Sequence, residues 1–231
     1  MPRVESPAPA ARKPCPPAIY LHGLSSSAGS AKGAHLAAVF AARGHQLSLP
    51  DLNLPSFERL DVDAMLAAVT QAADAIAPGG EAVRLVGSSL GGWLAARWAS
   101  INFARVDRML LLCPAFHMQE HWPRILGAER VASWESRGEM LLPDHTGSPR
   151  PVHWGFVASH ARHPTAPAPP CPTRVLHGRA DPVVPVESSR RWTSAHPHLV
   201  TLRELEDDHA LMASLAFVEA EIVDFFELGS P

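Results

Sequence analysis

Short apolar runs alternate along the chain with longer stretches whose apolar residues recur at helical spacing. The runs fall at 18–22, 46–50, 83–87, 108–113, 173–177 and 199–205. Their shortness and their Val, Ile and Leu content predict buried strands. The helical spacing falls at 32–42, 62–76, 90–100, 187–195 and 211–226, where one apolar face per helix is expected. Strand and helix in alternation are the signature of a parallel sheet covered on both faces. Short crossovers between the strands are expected to be right-handed.

The rhythm fails once. Between 115 and 170 no further strand is evident. The segment carries Trp122, Trp134 and Trp154, the histidines His117, His121, His145, His153, His160 and His163, and a proline-rich run up to Pro172. A structureless loop of that length does not suit a compact domain. A partly helical insertion is expected instead, following the strand at 108–113. It either covers the end of the sheet or runs off to its periphery.

The densest chemistry lies in Val83-Arg84-Leu85-Val86-Gly87-Ser88-Ser89-Leu90-Gly91-Gly92. It reads as a strand, a Gly-x-Ser-x-Gly turn and the first residues of a helix. In that setting the turn lifts one serine hydroxyl clear of the sheet. Gly87 and Gly91 flank Ser89, whereas Ser88 has Val86 and Leu90 at the same offsets. Ser89 is therefore the candidate nucleophile. The glycines are needed because neighbouring Cβ groups have no room on so sharp a turn.

A serine hydroxyl needs an adjacent base, and the base needs a carboxylate to orient it. Where this turn carries a nucleophile, the partners follow in the order serine, acid, histidine. Asp181 stands in His177-Gly178-Arg179-Ala180-Asp181-Pro182, in the loop after the strand at 173–177. His209 stands in Asp207-Asp208-His209, in the loop after the strand at 199–205. Both loops fall at C-terminal strand ends, where open parallel sheets carry their ligands. Asp107, Asp207 and Asp208 are rival acids. Asp107 precedes its strand, and the other two adjoin His209 too closely for an easy bond to its ring.

A negative charge forming on a carbonyl oxygen needs fixed donors, usually two backbone N–H groups. The residue after the nucleophile, Leu90, is expected to give one. Leu24, in Tyr20-Leu21-His22-Gly23-Leu24, is expected to give the other.

The composition narrows the setting. The chain has 231 residues, 46% of them hydrophobic, which suits a single domain over 17–228 after a Pro/Ala-rich tail at 1–16. The formal net charge is −3, with no basic block to suggest nucleic acid. No apolar run approaches a membrane span, and the tail lacks the apolar stretch of a secretory signal. Three scattered cysteines suit a reducing, cytoplasmic compartment rather than a disulfide framework. His117 and His121 stand four apart, but no third metal ligand is indicated by spacing. Lys32 and the serines at 25–27 lack a phosphate-loop pattern, and no dinucleotide fingerprint occurs. Neither a cofactor nor a metal is expected.

Tyr20–Gly23, Gly87–Gly92, His177–Asp181 and Asp208–His209 together resemble landmarks of the α/β-hydrolase superfamily. Leu21-His22-Gly23 followed by Ser26, Ser27, Ser30 and Lys32 is similar to the small bacterial YqiA-type esterases. The resemblance implies a three-layer α/β/α sandwich with a mostly parallel sheet, a minimal N-terminus and a cap-like insertion at 115–170. It further implies Ser89 as nucleophile, His209 as general base and then acid, Asp181 as the group fixing the imidazole, and Leu24 and Leu90 as oxyanion donors. The activity it implies is hydrolysis of a small-molecule carboxylic ester or thioester through an acyl-enzyme. A peptidase or C–C bond hydrolase of the same fold, or a binding protein on a hydrolase scaffold, are the alternatives.

Overall fold

The computed structural model describes residues 15–229, so most of the tail expected at 1–16 lies outside the described residues. The chain runs through β1 (Ala18–Leu21), α1 (Ala31–Ala41), β2 (Leu47–Ser48), α2 (Val62–Ile76), β3 (Val83–Ser88), α3 (Leu90–Ile101) and β4 (Val106–Leu112). It continues as α4 (Met118–Leu126), α5 (Ala128–Arg137), β5 (Glu139–Pro143), β6 (Pro149–His153) and α6 (Gly155–Ala161). It ends with β7 (Thr173–Gly178), α7 (Val186–Ala195), β8 (Val200–Leu205) and α8 (Leu215–Phe225). Six strands form one sheet in the order β2-β1-β3-β4-β7-β8, and every neighbouring pair is parallel.

Alternate residues of each strand face opposite layers. Ile19, Leu85, Met109 and Val175 share a core with Met65 of α2, Trp93 of α3 and Trp192 of α7. Tyr20, Val86, Leu110 and Leu176 share the other core with Leu36 of α1 and Val218 and Ile222 of α8. Both faces are thus covered, as continuous apolar strands require. Local signals start the helices. Ser30 Oγ accepts the Gly33 N–H at 3.2 Å, and Asp61 Oδ1 accepts the Ala64 N–H at 3.0 Å.

The sheet order reverses between β1 and β3. In an open parallel sheet, that switch point opens a crevice at the C-terminal strand ends. The loop after β1 and the turn after β3 both lie there.

Two expectations are corrected. The helix expected at 211–226 starts at Leu215. Leu211 adopts a left-handed φ of 52° and is buried as a loop anchor, so its apolar side chain mimicked a helical repeat. Asp207 Oδ2 accepts the Ser214 N–H at 2.7 Å and holds the turn that delays the helix. The segment 115–170, expected to lack strands, contains the antiparallel hairpin β5–β6. Pro143, Pro149 and Pro151 disguise it, because proline is tolerated only where no ladder donor is required. Its turn is tied by Asp144 Oδ1, which accepts the Thr146 and Ser148 N–H groups at 2.8 and 3.1 Å.

Trp134 of α5 packs edge-on against Trp122 and Trp154 at 5.7 and 5.4 Å, and its Nε1–H donates to Val152 O at 2.8 Å. The segment is tied to the scaffold by Arg162–Asp63 at 2.6 Å and by Arg150–Glu58. Trp93 and Trp192 donate to the Pro164 and Pro167 carbonyls at 3.1 and 2.9 Å, fixing the proline-rich return. Cys15, Cys113 and Cys171 are free thiols, and burial pushes Cys171 up to about 12. Among the described residues, no helix is long and apolar enough to cross a membrane.

The tightest point of the fold is Gly91, where a Cβ would stand 2.0 Å from Leu21 O. Gly91→Ala is expected to lower the denaturant midpoint by the equivalent of about 1–3 kcal/mol or more. Gly29→Ala, whose nearest contact would be Ser27 Oγ at 3.8 Å, is the control and should leave the midpoint nearly unchanged.

Candidate active site

Ser89 stands between β3 and α3 with φ 55° and ψ −120°. That conformation is costly for a residue with a Cβ, and surrounding bonds must hold it. Its N–H donates to Leu112 O at 2.9 Å, and its carbonyl accepts from Gly92, Trp93 and Ala115 N–H at 2.9, 3.2 and 3.0 Å. A Cβ on Gly87 would meet Gly91 O at 2.4 Å, and one on Gly23 would stand 3.0 Å from Ser89 Cβ. The glycines predicted from the motif therefore sit where the backbones touch.

Asp181 and His209 converge on this serine. His209 Nε2 lies 2.9 Å from Ser89 Oγ and its Nδ1 lies 2.6 Å from Asp181 Oδ2. The bonds suit a neutral ring that donates from Nδ1 and accepts the serine proton at Nε2. Asp181 is further held by Val183 and Val184 N–H groups, each 2.8 Å from Oδ1. Burial alone would raise its pKa. Hydrogen bonds from His177 and His209, the attraction of His209 when it is protonated, and the Val184 N–H outweigh burial and hold the carboxyl well below the usual range.

The rival acids are occupied elsewhere. Asp107 pairs with Arg84 and Arg108 at 2.7 and 2.8 Å, at the far end of the sheet. Asp207 takes the Asp208 and Ser214 N–H groups at 2.7 Å each, and Asp208 takes Ala210 N–H at 2.8 Å.

Leu24 and Leu90 both line a narrow apolar pocket with Ser89. Neither N–H bonds to another described residue. Ala115, Met118, Trp122, Phe156 and His160 complete the pocket, so the segment 115–170 reaches the serine. Of its three tryptophans only Trp122 does so. Within β5, Leu142 is buried and Leu141 is exposed. A second pocket, with several hydroxyls and a lysine in its lining, opens on the His209 side, lined by Tyr20, Ser26, Ser30, Lys32, Ser88 and Ala210 as well as Gly23, Leu24, Ser89 and His209.

The motifs did not give the roles of several residues around the site. His22 accepts the Leu52 N–H at Nε2 (3.0 Å) and donates to Gly23 O from Nδ1 (2.9 Å), bracing the loop that carries Leu24. His177 Nε2–H donates to Val184 O at 2.9 Å and lies 3.2 Å from Asp181, while its Nδ1 accepts from Ser189 Oγ at 2.8 Å. His160 packs against Trp93 with ring centres 4.1 Å apart and planes tilted by 43°. Burial, and the nearby His163, push its pKa down to about 4. The pair His117 and His121 is not convergent: His121 Nε2 contacts Ser188 Oγ at 2.8 Å, and His117 faces Glu120 and Thr165. Cys113, His177 and Asp181 offer ligand atoms within 4.8 Å of one another. The ring nitrogens and carboxylate oxygens there already hold the bonds described, and burial keeps the Cys113 thiol protonated.

A parallel sheet covered on both faces, switched between β1 and β3 and bearing a strained serine at that point, is the α/β-hydrolase fold. The chain belongs to the family described as Uncharacterised protein family (UPF0227), whose model matches residues 17–227. Alpha/beta hydrolase domain-containing protein 10 from mouse shares the fold with a TM-score of 0.74 at 23% identity, over 92% of this chain and 90% of that one. Est1E from Butyrivibrio proteoclasticus superposes with a TM-score of 0.69 at 16% identity, over 94% and 89%. A structure reported for LipS and LipT, two metagenome-derived lipolytic enzymes, gives 0.74 at 16% identity, over 93% and 94%. No curated protein matches the sequence.

His160 makes a pH prediction. Its folded pKa is lowered to about 4, whereas an unfolded histidine titrates near 6.5. The unfolded chain therefore binds the proton first, and stability is lost as pH falls from about 6.5 to about 4. The loss is roughly 3 kcal/mol across that window. Chemical denaturation of His160→Gln at several pH values should show a shallower slope there than the parent. An equal slope in both proteins would show that this ring does not carry the effect.

Proposed function

We propose that the protein is a serine hydrolase that cleaves small carboxylic esters or thioesters through an acyl-enzyme on Ser89. The observation that carries the reading is the unbroken hydrogen-bond chain from Ser89 Oγ through His209 to Asp181. Ser89 Oγ attacks the carbonyl carbon while His209 Nε2 takes its proton. Asp181 stays ionised, holds Nδ1–H and stabilises the imidazolium. The tetrahedral oxyanion is received by the N–H groups of Leu24 and Leu90. As the carbonyl re-forms, the bond to the leaving oxygen or sulfur breaks, and His209 gives that atom its proton. Water then repeats the sequence on the acyl-enzyme and releases the acid. No cofactor is called for.

The narrow apolar pocket receives the acyl chain. Met118, Trp122 and Phe156 form its far wall, so the segment 115–170 acts as a cap that sets chain length. The three free thiols accord with a reducing, cytoplasmic setting.

Ser89→Ala should abolish both ester turnover and fluorophosphonate labelling. A triad nucleophile is worth about 10⁶ in kcat, and adding His209→Ala should cost little more because the groups act as a unit. Full activity in Ser89→Ala with loss in Ser88→Ala would move the nucleophile and sink this assignment. Trp122→Ala should raise kcat/KM for longer acyl chains relative to acetyl, because such pockets discriminate by about 1–3 kcal/mol per methylene. Trp134→Ala, which packs behind the pocket, should lower stability with chain-length preference unchanged. The same shift in both variants would mean that the wall is not Trp122.

A further inference from the structure

Lys32 is the residue that the proposed chemistry leaves unexplained. It is a cation in the first turn of α1 and only 9% exposed. The positive end of a helix is the wrong end for a lysine. Its Nζ donates to Ser88 Oγ at 3.3 Å, and among the described residues it forms no ion pair. Burial lowers its pKa and prevails over the opposing influence of Cys113, Asp207 and Asp208. Both carboxylates are already spent on backbone N–H groups. A buried cation without a counter-ion is costly unless something else pairs with it.

What surrounds Lys32 is a pocket, not packing. It shares a wall with Tyr20, Ser26, Ser30 and Ser88, and the same space reaches Ser89 and His209. Burial raises the Tyr20 pKa, so its phenol stays a neutral donor, and its hydroxyl faces Ser30 and Ser88. A cation and several hydroxyls facing one cleft make a receptor for an oxyanion. The pocket lies on the side of His209, the residue that hands a proton to the departing group. The apolar pocket shares Leu24 and Ser89 with it and extends instead to Met118, Trp122 and Phe156. The Lys32 pocket thus offers an ammonium group and hydroxyls where the other offers mostly apolar side chains.

We propose that the Lys32 pocket binds a carboxylate or phosphate carried by the leaving alcohol or thiol, so that the substrate is an ester or thioester with an apolar acyl half and an anionic leaving half. This rests on the serine-hydrolase reading of Ser89. The anion pairs with Lys32 Nζ and takes hydrogen bonds from the hydroxyls of the pocket, while the scissile carbonyl meets Ser89.

The test compares three acetyl esters of similar size: acetoxyacetate, acetoxyethyl phosphate and the neutral acetoxyacetamide. The parent protein should prefer at least one anionic ester over the amide. In Lys32→Met the anionic-to-neutral ratio of kcat/KM should fall about 10- to 100-fold, the range for a hydrogen bond to a charged group, mainly through KM. A merely structural lysine would lower all three alike and leave the ratio unchanged, which would overturn the proposal. Whichever anion gives the preference tells carboxylate from phosphate.

A binding arm does not depend on turnover. Glycolate or hydroxyethyl phosphate, at up to about tens of millimolar, should raise the melting temperature of the parent but not of Lys32→Met, and glycolamide should do neither. Neutral esters hydrolysed through Ser89 with no anion preference and no thermal shift would leave the hydrolase reading standing and remove this one. Anion-dependent stabilisation of the parent without ester turnover or serine labelling would do the reverse, keeping the anion site and removing the hydrolase reading.

Discussion

The site depends on a backbone contact so close that no side chain fits into it. The first turn of α3 lies against the end of β1, with Leu21 O 2.0 Å from where a residue-91 Cβ would be. That approach puts Ser89 at the topological switch point and forces its left-handed φ. The cost is met by the bonds that Ser89's own peptide groups make to β4, α3 and the start of the following loop. A second crossing repeats the device. A Cβ on Gly178 would stand 2.3 Å from Asp208 O and 2.4 Å from Asp207 O, so the end of β7 and the loop after β8 lie flush. Asp181 follows one side of that crossing and His209 the other, which is why they meet across 2.6 Å.

Polar groups around the serine divide into satisfied and unsatisfied ones. The Asp181 carboxylate is held on both oxygens by backbone and imidazole donors, and none of its side chain is exposed. Such a group is stiff and stays ionised. Lys32, 9% exposed, bonds among the described residues to a single serine hydroxyl. A fold that fully pairs one buried charge and leaves its neighbour open has separated a supporting group from a receiving one.

Much of this was legible in the sequence, and what was not has physical reasons. The sheet strands were visible because a strand covered on both faces must be apolar throughout, as in Ile19–Leu21 and Met109–Leu112. The Ser89 turn was visible because it requires Gly87 and Gly91, and the Asp181 loop because Gly178, Pro182 and Pro185 mark it; His209, in a loop without glycine or proline, was picked out only by its place after the last strand. The hairpin β5–β6 was not, because Pro149 and Pro151 interrupt a strand that has only one partner. The late start of α8 was hidden by Leu211, whose burial serves a loop. The roles of His22 and His177 were beyond reach, since each is defined by bonds into a neighbouring loop or helix, to Leu52 and to Ser189, that no local pattern marks. Thirteen histidines make any one of them anonymous until its partners are seen.

The two kinds of residue at the site come from different parts of the chain. Ser89, Asp181 and His209 sit on loops locked by the parallel sheet, whereas Met118, Trp122, Phe156 and His160 sit on α4 and α6 of an excursion that forms no strand of that sheet. Substitutions that reshape the pocket wall leave the sheet's ladder and its glycine crossings intact. Because the wall and the three loops rest on different elements, the shape of the pocket can be altered while the loops that carry Ser89, Asp181 and His209 stay where the sheet holds them.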